Sequence, residues 1–97
     1  MKLIIAITRD DSAADVTAAL NEQKLSVTRI SSTGGFWRRG NVTLLIGVNE
    51  NDVERALQII DANAGPAIQT TPEAAQSPYP PHRATVFLIN VDSFAHY

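Results

Sequence analysis

Two strand-like runs flank a short glycine-rich segment, and this pairing constrains the fold more than any other feature of the sequence. The first run ends at Ile30 and the second begins at Val42, and the residues from Ser31 to Asn41 read Ser-Ser-Thr-Gly-Gly-Phe-Trp-Arg-Arg-Gly-Asn. Runs of β-branched and aliphatic residues joined by a connection that contains glycine are typical of a β-hairpin. The sequence therefore predicts neighbouring antiparallel strands over residues 25–32 and 42–48.

The hairpin segment also contains residue types that can hold a nucleotide. Glycines let a backbone amide approach a ligand closely, aromatic rings offer flat faces, and arginines carry fixed positive charge. No phosphate-loop motif is matched, so on these residues alone an ordinary turn with solvated arginines is the simpler interpretation. The residues concerned are Gly34, Gly35, Gly40, Phe36, Trp37, Arg38 and Arg39.

Two further strands and two helices follow from the apolar patterns. Residues 2–8 are almost continuously apolar, as in a central strand, and residues 84–91 place apolar side chains on both faces. Ser12 with Asp15 forms a capping-box-like start for a helix at about 12–23, with an acidic pair before it that suits the helix dipole. The second helix is expected to begin at a cap on Asn49 or Asn51 and to end at Gly65-Pro66, with an apolar face of Val53, Ala56, Leu57 and Ile60.

The predicted order is β-α-β-β-α-β, which is the ferredoxin-like arrangement in an α+β protein. Two helices cover one face of such a four-stranded antiparallel sheet, yet the first, third and fourth strands are apolar on both faces. An apolar face of that size would otherwise be exposed to water. We therefore expect copies of the same chain to cover it in a homo-oligomer.

A proline-rich segment lies between the second helix and the last strand. It spans residues 66–83 and cannot sustain a helix or a central strand, so we expect a mobile loop of the kind that is usually functional. Within it, residues 78–81 read Pro-Tyr-Pro-Pro, which is either a stiff loop segment or a polyproline II ligand. The five prolines are Pro66, Pro72, Pro78, Pro80 and Pro81.

Composition narrows the class of protein. The 97 residues suit a single domain, and a formal net charge of -2 offers no footprint for nonspecific binding of nucleic acid or membrane. No apolar run approaches a membrane span and the start lacks a signal-peptide cleavage site, so we expect a cytoplasmic protein. Cysteine is absent from the sequence, which removes disulfides, thiolate catalysis and cysteine metal sites.

Catalytic patterns are scarce. The two histidines, His82 and His96, have no metal-ligand spacing, and no Gly-x-Ser-x-Gly elbow surrounds the serines, so we expect neither a metal site nor catalytic residues. Arg38, Arg39 and Asn41 are the residue types with which a small phosphatase would hold phosphate and water. An RNA-recognition module is disfavoured because the predicted central strands contain no aromatic ring.

Several strings in this chain strongly resemble the PII-like cyclic di-AMP receptors of the PstA or DarA type. The resemblance covers about residues 1–65 without a gap and resumes at about 78–97, and the proline-rich loop is shorter here. It implies a single PII-like domain over residues 1–97. The strings are Met1 to Ile7, Thr33-Gly34-Gly35-Phe36 with Arg38 and Gly40-Asn41, Gly47-Val48-Asn49, Ala84 to Phe87, and Val91-Asp92 with Phe94.

The resemblance implies a trimeric signalling protein without catalysis or a cofactor, which binds cyclic di-AMP in clefts between subunits. Six residues of this chain match the ligand-contacting positions of the related receptors. Of these, Thr28 and Asn41 are expected to hydrogen-bond to a base edge or phosphate. Gly35 and Gly47 would permit close backbone approach, and Phe36 and Phe87 would pack on adenine. The implied effector is an unidentified protein that contacts residues 66–83, whose order would change with ligand.

Four positions depart from the receptors. Lys24 and Ser26 stand where the receptors have asparagine and arginine, His96 replaces a glutamine of the tail, and Trp37 replaces a leucine. Loss of the arginine costs ~1.5–3 kcal/mol of ligand binding unless a cation among Lys24, Arg29 and Arg39 compensates, while stacking on Trp37 offsets part of it. Two alternatives stay open: a PII-like or cation-tolerance-like trimer that acts only through protein contacts, and a small enzyme.

Overall fold

A computed structural model describes residues 1–30, 41–65 and 83–97. The predicted hairpin loop from 31 to 40 and the predicted proline-rich loop from 66 to 82 lie outside the described residues. The elements are β1 (Lys2–Arg9), α1 (Asp10–Glu22), β2 (Val27–Ile30), β3 (Asn41–Val48), a short 3-10 helix (Glu50–Asp52), α2 (Val53–Asn63) and β4 (Ala84–Asn90).

The four strands form one antiparallel sheet in the order β2-β3-β1-β4. β1 is central and pairs with β3 from Lys2 opposite Val48 to Arg9 opposite Asn41. On its other side β1 pairs with β4, with Ile5 opposite Phe87. The predicted α+β class, with a four-stranded antiparallel sheet and two helices, is confirmed.

The core lies between the helices and one face of the sheet, and strand alternation determines which residues enter it. Alternate residues of β1 and β3 are fully or almost fully buried against α1 and α2. Burial of each large aliphatic side chain contributes about 1.5–3 kcal/mol before entropy losses. The core residues include Ile4 and Ala6 in β1, Val42, Leu44, Ile46 and Val48 in β3, Val16 and Leu20 in α1, and Ala56 and Ile60 in α2.

The predicted start of α1 is wrong by two residues. The helix follows β1 without a gap, and Arg9 at the cap position has extended backbone and no side-chain capping hydrogen bond among the described residues. Ser12 lies inside the helix instead of capping it. Its buried hydroxyl donates a hydrogen bond to the backbone oxygen of Ala64 at 3.0 Å, so the serine joins α1 to the end of α2.

The end of α2 is held by side chains that are distant in sequence. Arg83 donates from Nη1 to the backbone oxygen of Gly65 at 2.9 Å and to that of Asp61 at 3.2 Å. Its Nη2 also pairs with the Asp61 carboxylate. Gly65 has a φ of +95°, as predicted for a glycine that terminates a helix. These bonds satisfy carbonyl groups that the last helical turn leaves without partners.

The remaining boundaries differ modestly from prediction. β2 begins at Val27, because Leu25 is buried in the turn that follows α1, where Lys24 adopts a φ of +61°. α2 is preceded by a 3-10 turn, and Asn49 makes no side-chain capping bond within the described segment. The predicted caps for α2 are therefore not used, since the chain enters the helix through that turn.

The second face of the sheet, called the open face here, is opposite the helices. One of its residues, Ile7 on β1, is buried, but several others are exposed. Phe87, Ile89 and Ile30 on this face are 49%, 45% and 43% exposed, whereas Leu3 and Ile5 on central β1 are partly buried. This face thus carries exposed apolar side chains, as expected from the sequence. The homo-oligomer that would cover it stays a prediction.

Candidate functional site

Five of the eight residues predicted to bind ligand lie in described parts of the chain. They are Thr28, Asn41, Gly47, Phe87 and His96. The other three, Gly35, Phe36 and Trp37, fall outside the described residues. Alternation along paired strands places the four strand residues of the first set on the open face, opposite the helices.

One row of residues crosses the open face from edge to edge. Phe87 on β4 is opposite Ile5, Ile5 is opposite Leu45, and Leu45 is opposite Thr28 on β2. Three inter-strand spacings separate the ends of this row, about 14 Å between Cα atoms. Phe87 and Thr28 therefore share a face and a row but occupy opposite edges of the sheet, too far apart to contact the same adenine base within one chain.

Asn41 and Gly47 lie at opposite ends of β3. Asn41 is opposite Arg9, where β1 ends, and Gly47 is opposite Leu3, near the start of β1. Six residues of extended strand separate them, about 20 Å. The Asn41 side chain is half-buried and Gly47 is exposed, so both are accessible from the open face.

His96 lies in the tail that follows β4. Its ring contacts Phe94 edge-on, with the two ring centroids 5.5 Å apart and the ring planes at 73°. Phe94 is 62% exposed, so this aromatic pair is largely presented to solvent. The tail starts beside the beginning of β1, because the Val91 amide donates to the backbone oxygen of Met1 at 3.1 Å.

The four strand residues Thr28, Asn41, Gly47 and Phe87 thus share the open face without converging on one point in a single chain. Hydroxyl, amide and exposed glycine backbone can hydrogen-bond or closely approach a polar ligand, and the exposed Phe87 ring can stack on a base. Because these groups lie at different edges of the sheet, they can contact one ligand together only if the ligand spans the sheet or a second chain lies alongside.

Sequence patterns missed a cation on the open face. Arg9 lies opposite Asn41 at the end of β1, and its Nη2 pairs with the Asp11 carboxylate at 2.8 Å on an exposed surface. The signal that would have found Arg9 is strand alternation continued one residue further, which puts it on the same face as Leu3 and Ile5.

Arg29 is on the wrong face to replace the missing arginine. It is opposite the inward-facing Leu44, and its Nη2 pairs with the Asp10 carboxylate at the start of α1, at 3.3 Å. Thr28, its neighbour, faces the other way. Of the three cations considered as substitutes, Lys24 lies in the turn before β2, and Arg39 lies outside the described residues.

A cavity of about 290 Å³ lies between α2 and β4, on the helix side of the sheet. Apolar side chains and the Arg83–Asp61 pair both line it. No predicted ligand-binding residue is among those that line it. The lining residues are Leu57, Ile60, Asp61, Ala64, Arg83, Ala84 and Val86.

Two further searches were negative over residues 1–30, 41–65 and 83–97. No group of three or more histidine, aspartate or glutamate side chains there is arranged to hold a metal ion. Neither α1 nor α2, the α-helices in those ranges, is long and apolar enough to cross a membrane.

This chain matches a protein-family model and is similar to solved structures. A family model described as the cyclic-di-AMP receptor matches residues 1–78. A crystal structure of a functionally unknown protein from Pediococcus pentosaceus ATCC 25745 is 33% identical in sequence and superimposes with a TM-score of 0.75. That alignment covers 99% of this chain and 96% of the other.

Gly47 can be tested without disturbing the fold. A Cβ built at Gly47 would lie 3.7 Å from the Met1 methyl carbon, an ordinary contact, and the glycine φ is not positive. We expect Gly47→Ala to change the free energy of unfolding by less than about 1 kcal/mol. Gly65→Ala is the contrasting control, because its φ of +95° and a Cβ 3.0 Å from the Ser12 hydroxyl are strained; we expect a loss of about 1–2 kcal/mol. Denaturant unfolding at equal protein concentration measures the free energy of unfolding of both variants. Equal losses of stability would contradict the conclusion that Gly47 has room for a side chain and Gly65 does not.

Proposed function

Since the chain belongs to the cyclic-di-AMP receptor family, we propose that it is a signalling protein that binds cyclic di-AMP between subunits of a homotrimer. In this proposal the chain is one PII-like domain of ferredoxin-like topology in the cytoplasm. It acts without catalysis, and its output is a change in the order of residues 66–83 that an effector protein senses. The ligand contacts are the eight predicted residues: Thr28, Gly35, Phe36, Trp37, Asn41, Gly47, Phe87 and His96.

The placement of Thr28 and Phe87 at opposite edges of one row carries this proposal. Each chain has one β2 edge and one β4 edge. Copies related by a three-fold axis can bring the β4 edge of one chain beside the β2 edge of the next, so that Phe87 and Thr28 of different chains face one ligand. Three chains then form three equivalent sites, one for each chain.

The open face supports the trimer in this proposal. Exposed apolar side chains lie at both edges of this face, on β2 and β4, and partly buried ones lie between them on β1 and β3. Association of copies would remove this apolar area from water. The same association would bring the separated polar groups of neighbouring chains together at the margins of the covered face.

Charge at the site is consistent with a nucleotide but differs from the family pattern. Ser26 stands where the related receptors have arginine, and Arg29 is turned toward α1. Arg9 supplies positive charge beside Asn41 on the open face. If a phosphate binds there, Arg9 would leave its exposed ion pair with Asp11, which is worth about 0–1 kcal/mol, and form a charge-assisted hydrogen bond to the phosphate instead.

Calorimetric titration with cyclic di-AMP, with ATP, ADP and AMP in parallel, tests the ligand. We expect saturable binding of cyclic di-AMP at one site per chain. Phe87→Ala should weaken it roughly 5- to 150-fold, because base stacking is worth ~1–3 kcal/mol. Leu88→Ala is the matched control, since Leu88 is adjacent and equally exposed, at 47%, but faces the helix side. We expect less than a twofold change there.

Two results would contradict the ligand assignment. The absence of heat with cyclic di-AMP would remove the nucleotide and leave a trimer that acts through protein contacts. Equal losses from Phe87→Ala and Leu88→Ala would show that the strand as a whole, and not the open face, determines binding.

The trimer has its own test in a second matched pair. Ile89→Glu places a charge on the open face, whereas Leu88→Glu places one on the helix side of the same strand at similar exposure. Sedimentation or light scattering should give about three times the 10.5 kDa chain mass for the unmodified protein and for Leu88→Glu. We expect Ile89→Glu to dissociate, because an unpaired charge between copies is costly to bury. A trimer that survives Ile89→Glu would contradict a role of this face in assembly.

Hydrogen exchange with and without saturating cyclic di-AMP tests the proposed output. We expect slower exchange of amides in residues 66–83 when ligand is bound, because a segment that orders on binding loses access to exchange-competent states. Peptides from the buried core of α1 serve as the internal reference. Unchanged exchange over 66–83 at full occupancy would remove the ordering step and leave binding intact.

A further inference from the structure

Met1 occupies the space that Gly47 leaves open. Its methyl carbon lies 3.7 Å from the position that a Gly47 side chain would take, nearer than any other heavy atom outside the glycine and its chain neighbours. The Met1 side chain is nevertheless 43% exposed. The thioether thus lies over the Gly47 backbone on the open face and remains accessible from solvent.

The chain holds Met1 in this place. The backbone oxygen of Met1 accepts a hydrogen bond from the Val91 amide at 3.1 Å, which extends the pairing of β1 with β4 beyond the strand ends. Next to it, the Lys2 ammonium donates to the Asn90 side-chain oxygen. The first residue is therefore tied to the start of the tail that carries His96, and three separate parts of the sequence meet at this end of the sheet.

We infer that Met1 is a further ligand-contacting residue, whose thioether packs on a purine base seated against Gly47. This inference rests on the proposed function. A ligand that approaches the Gly47 backbone from the open face must contact the Met1 methyl group or displace it. Thioethers are polarisable and pack favourably on aromatic rings, and their unbranched chain adapts to the shape of the ligand. Met1 would add apolar contact where Gly47 contributes only backbone.

Met1 is also the sole methionine of the chain, which makes the inference unusually accessible to experiment. A single methyl-13C methionine signal reports on this position alone. Replacement of all methionine by norleucine changes one residue, and it removes the sulfur while keeping an unbranched apolar side chain. Oxidation to the sulfoxide converts the same group into a polar one.

The first experiment follows the methyl-13C signal of Met1 by NMR during titration with cyclic di-AMP. We expect the signal to shift in proportion to site occupancy. Leu57→Met adds a control methyl group on α2, on the other side of the sheet, through a substitution that conserves volume. Its signal should stay in place.

The second experiment measures the affinity for cyclic di-AMP of methionine and norleucine protein before and after mild peroxide treatment. Norleucine alone should weaken binding by no more than about tenfold, the range of a sulfur–aromatic contact. Sulfoxide formation should weaken it at least roughly fivefold further, because a polar group without a partner is then held against the base. Peroxide should leave the norleucine protein unchanged, which separates Met1 oxidation from damage to Trp37.

The outcomes distinguish this inference from the function on which it rests. No binding of cyclic di-AMP by untreated protein would overturn the proposed function and this inference with it. Binding with an unmoved Met1 signal, or with full affinity after sulfoxide formation, would overturn the role of Met1 alone.

Discussion

The structure depends on a sheet of which the helices in the described part of the chain cover only one face. β1 is hydrogen-bonded on both sides, and alternate residues along it face either the helices or the open side. The inward set, with Ile4 and Ala6, forms the core with α1 and α2. The outward set is almost as apolar, so the sequence that stabilises one chain also creates a surface suited to association. Fold and proposed assembly are two consequences of one strand pattern.

The helix layer is tied down at the end of α2. Ser12 from α1 and Arg83, the residue before β4, both donate to backbone oxygens in or just beyond its last turn. This arrangement brings Gly65 and Arg83, the residues on either side of the segment from 66 to 82, within hydrogen-bond distance. The residues that flank this segment are therefore held together by contacts outside the segment itself.

The candidate site has the opposite character, because its described residues are spread over the open face. Thr28 and Phe87 occupy opposite edges of one row, and Asn41 and Gly47 opposite ends of one strand. The cavity on the helix side contains none of these residues, because all four face away from the helices. In the proposed trimer only assembled chains would bind the ligand, so binding and assembly would be thermodynamically linked.

Local periodicity in the sequence was enough to predict the four strands and both α-helices of the described chain and the glycine that ends α2, since these follow from neighbouring residues and backbone preference. The resemblance to the receptors was likewise carried by short strings. Local signals failed where a side chain had a partner far away in sequence. Ser12 resembled a cap, yet its hydroxyl binds Ala64, because a buried hydroxyl takes the partner that packing supplies. Only the register of paired strands decided that Arg9 lies beside Asn41, that Arg29 turns toward α1 and that Met1 covers Gly47.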